Sequence, residues 1–247
     1  MRILLCLVVF GILNNSLAQV QTFPKGLKKL SEKKVAKLQP DIKTLPAFGP
    51  DGKLWSTAMA THPDTHLIYK AEFYATKKGE VVAVKFREMT DNEKVFAQFE
   101  LDAKRIEQMV GTQAESFEAT DMKGNPINLS DYKGSVVALN FWYIGCKPCV
   151  QEIPELNEIV EAYHEKPVKF VAIALDKADK LEQFLQDRPF TYDIIAEGRP
   201  VSKKYQVSLY PTHIIIDQEG KVVYAKAGYG SMTSTLIKKT LDDLLGD

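Results

Sequence analysis

The chain has 247 residues, in which 32 Lys and Arg residues balance 32 Asp and Glu residues, and 45% of the residues are hydrophobic. This length predicts one large domain or two small ones with a substantial buried core, while 26% charged and 10% aromatic residues argue against bulk disorder. Zero net charge offers no general electrostatic basis for nucleic-acid binding, and three cysteines are too few for a disulfide-stapled scaffold.

The first 18 residues have the pattern of a secretory signal peptide. Arg2 precedes an apolar run over residues 3–13, and the small residues Ser16 and Ala18 fit a cleavage site, so we expect the mature chain to begin at Gln19. The run is too short to span about 30 Å of hydrocarbon, and the alternative is a short membrane anchor or an N-terminal core helix. We expect an exported, periplasmic protein that is soluble once this segment is removed.

Residues 19–112 form an N-terminal region with no assigned role. As far as about residue 50 the chain is rich in lysine and interrupted by four prolines, which predicts a tether with at most a short helix over residues 26–38. Beyond the tether, the polarity pattern predicts a small antiparallel β-rich α+β domain. Its predicted strands cover residues 67–73, 81–87 and 95–102, and its predicted helix covers residues 103–110.

Residues 113–247 have a different hydrophobic pattern, in which continuous apolar runs alternate with amphipathic stretches. This pattern predicts a partly parallel sheet that is covered by helices on both faces. The predicted strands cover residues 136–142, 168–175, 192–195, 213–217 and 221–226. The predicted helices cover residues 148–164, 178–187 and 233–245.

Cys146 and Cys149 form a C-x-x-C pair where a predicted buried strand gives way to a helix. Unpaired backbone N–H groups and the helix macrodipole favour the thiolate of Cys146, and Lys147 adds a nearby cation. Pro148 suits the first helical turn, and Cys149, one turn further in, is close enough to displace the first sulfur from a mixed disulfide. Removal of the signal segment would also remove Cys6 and leave these two as the only thiols.

The sequence around this pair resembles the TlpA/ResA-like thiol-disulfide oxidoreductases of the thioredoxin superfamily, which are related to the AhpC/TSA redoxins. The resemblance covers roughly residues 113–247 and implies a thioredoxin-like fold with a mixed central sheet flanked by helices. The motifs that carry it are Asn140-Phe141-Trp142-Tyr143-Ile144-Gly145-Cys146-Lys147-Pro148-Cys149, Glu152-Ile153-Pro154, Tyr210-Pro211-Thr212, and residues 121–124 and 129–134. Residues 19–112 carry no such resemblance.

The resemblance implies that Cys146 attacks the substrate and that Cys149 resolves the mixed disulfide. It also implies that Pro211 is a cis-proline facing the pair, which would turn the Tyr210 backbone outward to bind an extended substrate segment beside Thr212. An ordinary trans proline at the start of a strand is the alternative for Pro211.

Two positions depart from thioredoxin itself. Asn140 replaces an acidic residue in the buried strand, and Asn cannot accept a proton at working pH. Glu152, three residues after Cys149, matches the acid of the ResA-like branch, so we expect it to be partly buried and to accept the Cys149 proton. A solvated helix carboxylate is the alternative.

Gly145 replaces a tryptophan before the first cysteine and predicts a more open surface above Cys146.

Two prolines and one tryptophan support this predicted site. Pro148 begins the helix, Pro154 is expected to kink it because a proline there removes a helical hydrogen bond, and Trp142 is expected to lie in the core.

Two other interpretations of the cysteine pair stay open. One is an inert structural disulfide. The other is a zinc site, for which only His213 could approach from the proline loop, so the four ligands that zinc prefers would not be assembled.

We therefore expect an exported thiol-disulfide oxidoreductase that reduces protein disulfides and needs no cofactor beyond its redox-active disulfide. Its expected partners are protein disulfides or dithiols and a membrane-bound thiol electron donor. The alternatives are a thiol peroxidase of the peroxiredoxin class, although Tyr143 stands where those enzymes have a threonine, and a non-catalytic binding module with a vestigial cysteine pair.

Overall fold

The structure is a computed structural model that describes residues 22–246. The expected signal segment and its cleavage site lie outside the described residues. The chain divides into two compact units, one ending at Gln98 and the other beginning at Phe99. The sequence pattern places the boundary between the two regions after residue 112 instead, and that domain boundary stays a prediction.

The first unit contains a five-stranded sheet with the strand order β1-β4-β5-β2-β3. Its strands are β1 Lys28–Lys29, β2 Ala47–Phe48, β3 Leu54–Trp55, β4 Tyr69–Ala75 and β5 Val81–Glu88. Neighbouring strands are antiparallel except β2 and β5, which run parallel. Its short helices are α1 Glu32–Leu38, α2 Thr57–Ala60 and α3 Thr65–Ile68. The prediction of a tether up to residue 50 is wrong in part, because β1 and β2 join the sheet through backbone hydrogen bonds.

Helix α4, Asp91–Glu107, replaces the third strand predicted over residues 95–102. The helix begins with a capping box. The Thr90 backbone N–H donates to Glu93 Oε2 at 3.1 Å, and the Glu93 N–H donates to Thr90 Oγ1 at 3.3 Å. This cap fixes helical geometry before the alternating residues begin, so the strand prediction is wrong.

The second unit contains a five-stranded mixed sheet with the order β10-β9-β8-β11-β12. Strands β8, β9 and β10 are parallel, and β11 is antiparallel to both β8 and β12. The strands are β8 Val136–Trp142, β9 Val168–Ala174, β10 Asp193–Ile195, β11 Thr212–Ile216 and β12 Val222–Ala227, preceded by the hairpin of β6 Glu118–Thr120 and β7 Pro126–Asn128. The helices are α5 Lys147–Ala162, α6 Ala178–Asp187, α7 Arg199–Lys204 and α8 Thr233–Leu245.

The side chains of β8 alternate between two hydrophobic cores on opposite faces of this sheet. Ala138 and Trp142 pack into the core that contains the inner face of α5 and residues of α6 and α8. Leu139 and Phe141 pack into the opposite core with residues of α7. Because side chains alternate along a strand, Asn140 lies on the α5 face, between Ala138 and Trp142. None of the helices in the described part of the chain has the length and apolar character that a bilayer crossing requires.

Candidate active site

Cys146 and Cys149 are joined by a disulfide at the N-terminus of α5, immediately after the loop that follows β8. Their Cα atoms are 5.3 Å apart. The residues around them, Gly145, Lys147 and Pro148, are exposed, whereas only 4% of Cys146 and 1% of Cys149 is exposed. Cys146 is therefore buried in this disulfide form, whereas the open surface predicted above it implies an exposed sulfur. Both cysteines belong to the core on the α5 face, and Tyr143 and Ile144 pack against that core.

The two sulfurs nevertheless differ in their electrostatic surroundings. Cys146 is the N-cap residue of α5, and its Sγ accepts a hydrogen bond from the Cys149 backbone N–H at 3.3 Å. Cys149 lies inside the first turn, and its position is more completely buried. Because the positive end of the helix dipole and an N–H donor both point at Cys146 Sγ, negative charge is stabilised on that sulfur once the disulfide is opened.

The loop that carries Cys146 is held by Asp176, a residue that lies outside the predicted site. The Ile144 backbone N–H donates to Asp176 Oδ2 at 2.8 Å, and the Cys146 N–H donates to the Tyr143 carbonyl at 3.1 Å. Asp176 follows β9, which is parallel to β8, so the ends of the two neighbouring strands bring the carboxylate to the loop.

The Tyr210–Pro211 peptide bond is cis, which is the geometry that the family resemblance implies. The Tyr210 ring packs edge-on against Tyr143, with 5.4 Å between ring centroids. The Pro211 carbonyl accepts from Gly228 N–H at 2.7 Å, and the buried Thr212 hydroxyl donates to the Leu209 carbonyl at 2.8 Å. Among the described residues, none forms a backbone hydrogen bond with the Tyr210 N–H or carbonyl.

Glu152 is part of a buried polar cluster with Asn140 and His213. Asn140 Nδ2 lies 3.0 Å from Glu152 Oε1, His213 Nε2 lies 3.1 Å from Glu152 Oε2, and Asn140 Nδ2 lies 3.3 Å from His213 Nδ1. The exposed fractions of the three residues are only 1–2%. Glu152 is thus fully buried, whereas partial burial was expected, and the alternative of a solvated carboxylate is wrong.

From the sequence alone, His213 is a candidate only for a zinc site. It lies in β11 directly opposite Asn140 of β8, and this cross-strand pairing brings it to Glu152. Of the other residues expected to support the site, Trp142 is buried at the end of β8 and Pro154 lies inside α5. Among residues 22–246, no group of three or more His, Cys, Asp or Glu side chains is arranged to hold a metal ion.

Comparison with known proteins shows that this chain is similar to thiol-disulfide oxidoreductases. The AhpC/TSA family matches residues 110–225. The chain is 38% identical over 116 residues to the thiol-disulfide oxidoreductase ResA of Bacillus thuringiensis subsp. konkukian, covering 46% of this chain and 67% of that protein. For the ResA of Geobacillus kaustophilus, identity is 34% over 137 residues, covering 55% of this chain and 78% of that protein.

A solved structure supports the fold of the same region. The crystal structure of a Chlorobium tepidum protein assigned as a thiol:disulfide interchange protein DsbE superposes with a TM-score of 0.52 at 30% sequence identity. The match covers 56% of this chain and 98% of that protein. The thioredoxin-like fold predicted from the sequence motifs is thereby confirmed.

Proposed function

Because the chain belongs to the TlpA/ResA-like family of thiol-disulfide oxidoreductases, we propose that it reduces protein disulfides in the periplasm through Cys146 and Cys149. The observation that carries this proposal is the Cys146–Cys149 disulfide at the N-terminus of α5, with Cys146 Sγ accepting a backbone N–H. Such a sulfur is a good nucleophile when reduced and a good leaving group when oxidised.

The reaction begins with the Cys146 thiolate attacking one sulfur of a substrate disulfide. A bond forms between Cys146 Sγ and that sulfur, the substrate S–S bond breaks, and the released substrate thiolate takes a proton from water. Cys149 then gives its thiol proton to Glu152 and attacks Cys146 Sγ. This second exchange forms the Cys146–Cys149 disulfide and releases the other substrate sulfur as a thiolate, which also takes up a proton.

Each cycle transfers two electrons to the substrate and leaves the enzyme oxidised. A second thiol protein must therefore reduce the Cys146–Cys149 disulfide, and we assign this task to a membrane-bound dithiol donor. Lys147, exposed beside Cys146, and Pro148 in the first helical turn support the nucleophile by charge and by geometry.

The substrate is proposed to bind as an extended segment across Tyr210, Pro211 and Gly145. The unpaired backbone of Tyr210 supports this, because an added strand needs such donor and acceptor groups. Gly145 is exposed and presents no side chain there. The Thr212 side chain is fully buried, and its hydroxyl donates to the Leu209 carbonyl. Thr212 therefore holds the loop that carries this surface and does not contact the substrate through its hydroxyl.

Export is proposed from the N-terminal sequence, in which an apolar run precedes Ser16 and Ala18. An oxidising compartment also suits a chain whose only cysteines beyond that segment are the redox pair.

The direct test of the proposed function is covalent trapping in the native host. A Cys149→Ser variant keeps the nucleophile but cannot resolve the intermediate, so it should accumulate disulfide-linked partners that a reductant releases. The Cys146→Ser variant should accumulate none, and mass spectrometry of the released proteins would identify substrates and donor. Equal trapping by both variants, or none by Cys149→Ser, would contradict the assigned roles.

A further inference from the structure

The buried cluster around Glu152 assigns a role to His213, and this inference rests on the proposed function of Glu152 as acceptor of the Cys149 proton. We propose that His213 is a positioning residue. As a neutral ring it donates its Nε2–H to Glu152 and so holds Glu152 as a carboxylate, ready for the resolving step. Asn140 selects the tautomer of His213 that can do this.

The hydrogen-bond pattern of the three side chains specifies their protonation. The Asn140 amide has two N–H groups, and its Nδ2 lies within hydrogen-bond distance of both Glu152 Oε1 and His213 Nδ1. A ring nitrogen that accepts a hydrogen bond carries no proton, so the proton of the neutral His213 ring is on Nε2. That nitrogen lies 3.1 Å from Glu152 Oε2 and donates to it.

The opposite orientation of the Asn140 amide is disfavoured. It would place Asn140 Oδ1 against Glu152 Oε1, two acceptors in contact, unless Glu152 were protonated. With Nδ2 in this position, every N–H donor of the Asn140 and His213 side chains has an acceptor. Glu152 is then ionised, and each of its carboxylate oxygens accepts one hydrogen bond. A buried carboxylate is stable only when such bonds replace water, and both of its oxygens still have a lone pair for the Cys149 proton.

Several titratable groups face this cluster from the surrounding elements. Cys149 lies one turn before Glu152 on α5, Tyr224 is on β12, and Tyr192 precedes β10. Burial, with a smaller contribution from the charge of Glu152, raises the pKa values of Tyr192 and Tyr224, so both phenols stay protonated at neutral pH. Tyr229 is also within the field of Glu152, and its hydrogen bond to Glu155 raises its pKa most.

Loss of the His213 donor should therefore affect the second chemical step and not the first. A carboxylate with one hydrogen bond fewer takes a proton from solvent at higher pH and is then no longer a base for Cys149. The attack by Cys146 does not use Glu152 and should be unchanged.

A chromogenic disulfide, dithiobis-nitrobenzoate, separates the two steps in the reduced protein. Attack by Cys146 releases one thionitrobenzoate at a rate that depends on reagent concentration. Attack by Cys149 on the resulting mixed disulfide releases a second one at a rate independent of that concentration. Both rates would be measured against pH in wild type and in His213→Leu, His213→Gln and Glu152→Gln variants, with the exposed His164→Gln as a control.

In His213→Leu, we expect the pH midpoint of the second phase to rise by about one unit and the second phase to slow about tenfold at pH values below the wild-type midpoint, with the first phase within about twofold of wild type. His213→Gln should restore the second phase to within about twofold, because its amide N–H replaces the Nε2 donor. Combining His213→Leu with Glu152→Gln should slow the second phase no more than Glu152→Gln alone, since His213 acts through Glu152.

Failure of the role proposed for His213 and failure of the proposed function give different results in this experiment. An unchanged second phase and pH midpoint in His213→Leu would overturn the role of His213. A His213→Gln variant with a slowed second phase and a raised midpoint would overturn the neutral-donor assignment, and this outcome remains measurable if His213→Leu does not fold. A wild-type protein without the concentration-dependent first phase would instead overturn the proposed function.

Discussion

At the scale of single residues, Cys146 and Cys149 differ in ways that their position on one helical turn dictates. Cys146 caps α5 and accepts a backbone N–H, and Cys149 is enclosed by the core. The C-x-x-C spacing at a strand-to-helix junction is enough to predict this difference. The low exposure of Cys146 was not predictable, because it depends on the tertiary packing of the core that contains both cysteines and against which Tyr143 and Ile144 pack.

His213 and Asp176 show which site residues sequence patterns miss. His213 reaches Glu152 through its register opposite Asn140, and Asp176 reaches the cysteine loop from the end of a neighbouring strand. Both contacts join residues that are far apart in the chain. A sequence pattern reports which residue types occur along one element, but it does not report the register between two strands.

Asp176 gives a prediction at this scale. Replacing it with Ala leaves the Ile144 N–H without its acceptor, so the free energy of unfolding should fall by about 1–2 kcal/mol. Urea unfolding of the oxidised protein would measure the change, with the exposed Asp187→Ala as the control. A loss no larger than that of the control would show that this hydrogen bond does not hold the loop.

At the scale of elements, the bounds of helices and strands were predicted correctly where the segment has one strong hydrophobic pattern. The buried strand β8 and the helices α6 and α8 have the bounds that the sequence predicts. The part of helix α4 before residue 103 was missed because an alternating pattern was given more weight than the capping signal Thr90-x-x-Glu93, whereas residues 103–107 were predicted as helix. Strands β1, β2 and β3 were missed because two residues are too short a stretch to show a period.

The β6–β7 hairpin depends on a buried carboxylate in its turn. Asp121 accepts hydrogen bonds from the backbone N–H groups of Lys123 and Asn125 and from Asn125 Nδ2. Burial acts to raise the pKa of Asp121, but these hydrogen bonds outweigh it and hold that pKa below its ordinary value. A lowered pKa means that the contribution to stability is present above about pH 4 and is lost as the pH falls through the folded-state value.

Asp121→Ala should therefore lower the free energy of unfolding by about 2 kcal/mol at neutral pH. The difference from wild type should narrow as the pH falls below about 4, because the Asp121 carboxylate is protonated first in the unfolded chain and then, at the lower folded-state pKa, in the folded protein. Denaturant unfolding at several pH values would measure this, with Glu118→Gln on the exposed side of the same hairpin as the control. A difference that stays constant with pH would mean that the charge of Asp121 does not stabilise the hairpin.

At the scale of the whole molecule, the family motifs predicted the fold of the second unit, and they also implied the cis peptide bond before Pro211. The first unit carried no motif, and its mixed sheet with the parallel pair of β2 and β5 had to be observed. Strand direction follows from long-range contacts rather than from local polarity, so a pattern of alternating residues could predict β-structure there but not its topology.

The central claim is that this fold stabilises a thiolate on Cys146. The Cys149→Ser protein produced from Gln19 onward contains Cys146 as its single cysteine and retains the backbone N–H at residue 149. Its rate of alkylation by iodoacetamide, measured against pH, reports the ionisation of that thiol directly. We predict a midpoint at least one unit below the value of about 8.5 for free cysteine. A midpoint at or above the free-cysteine value would contradict the account.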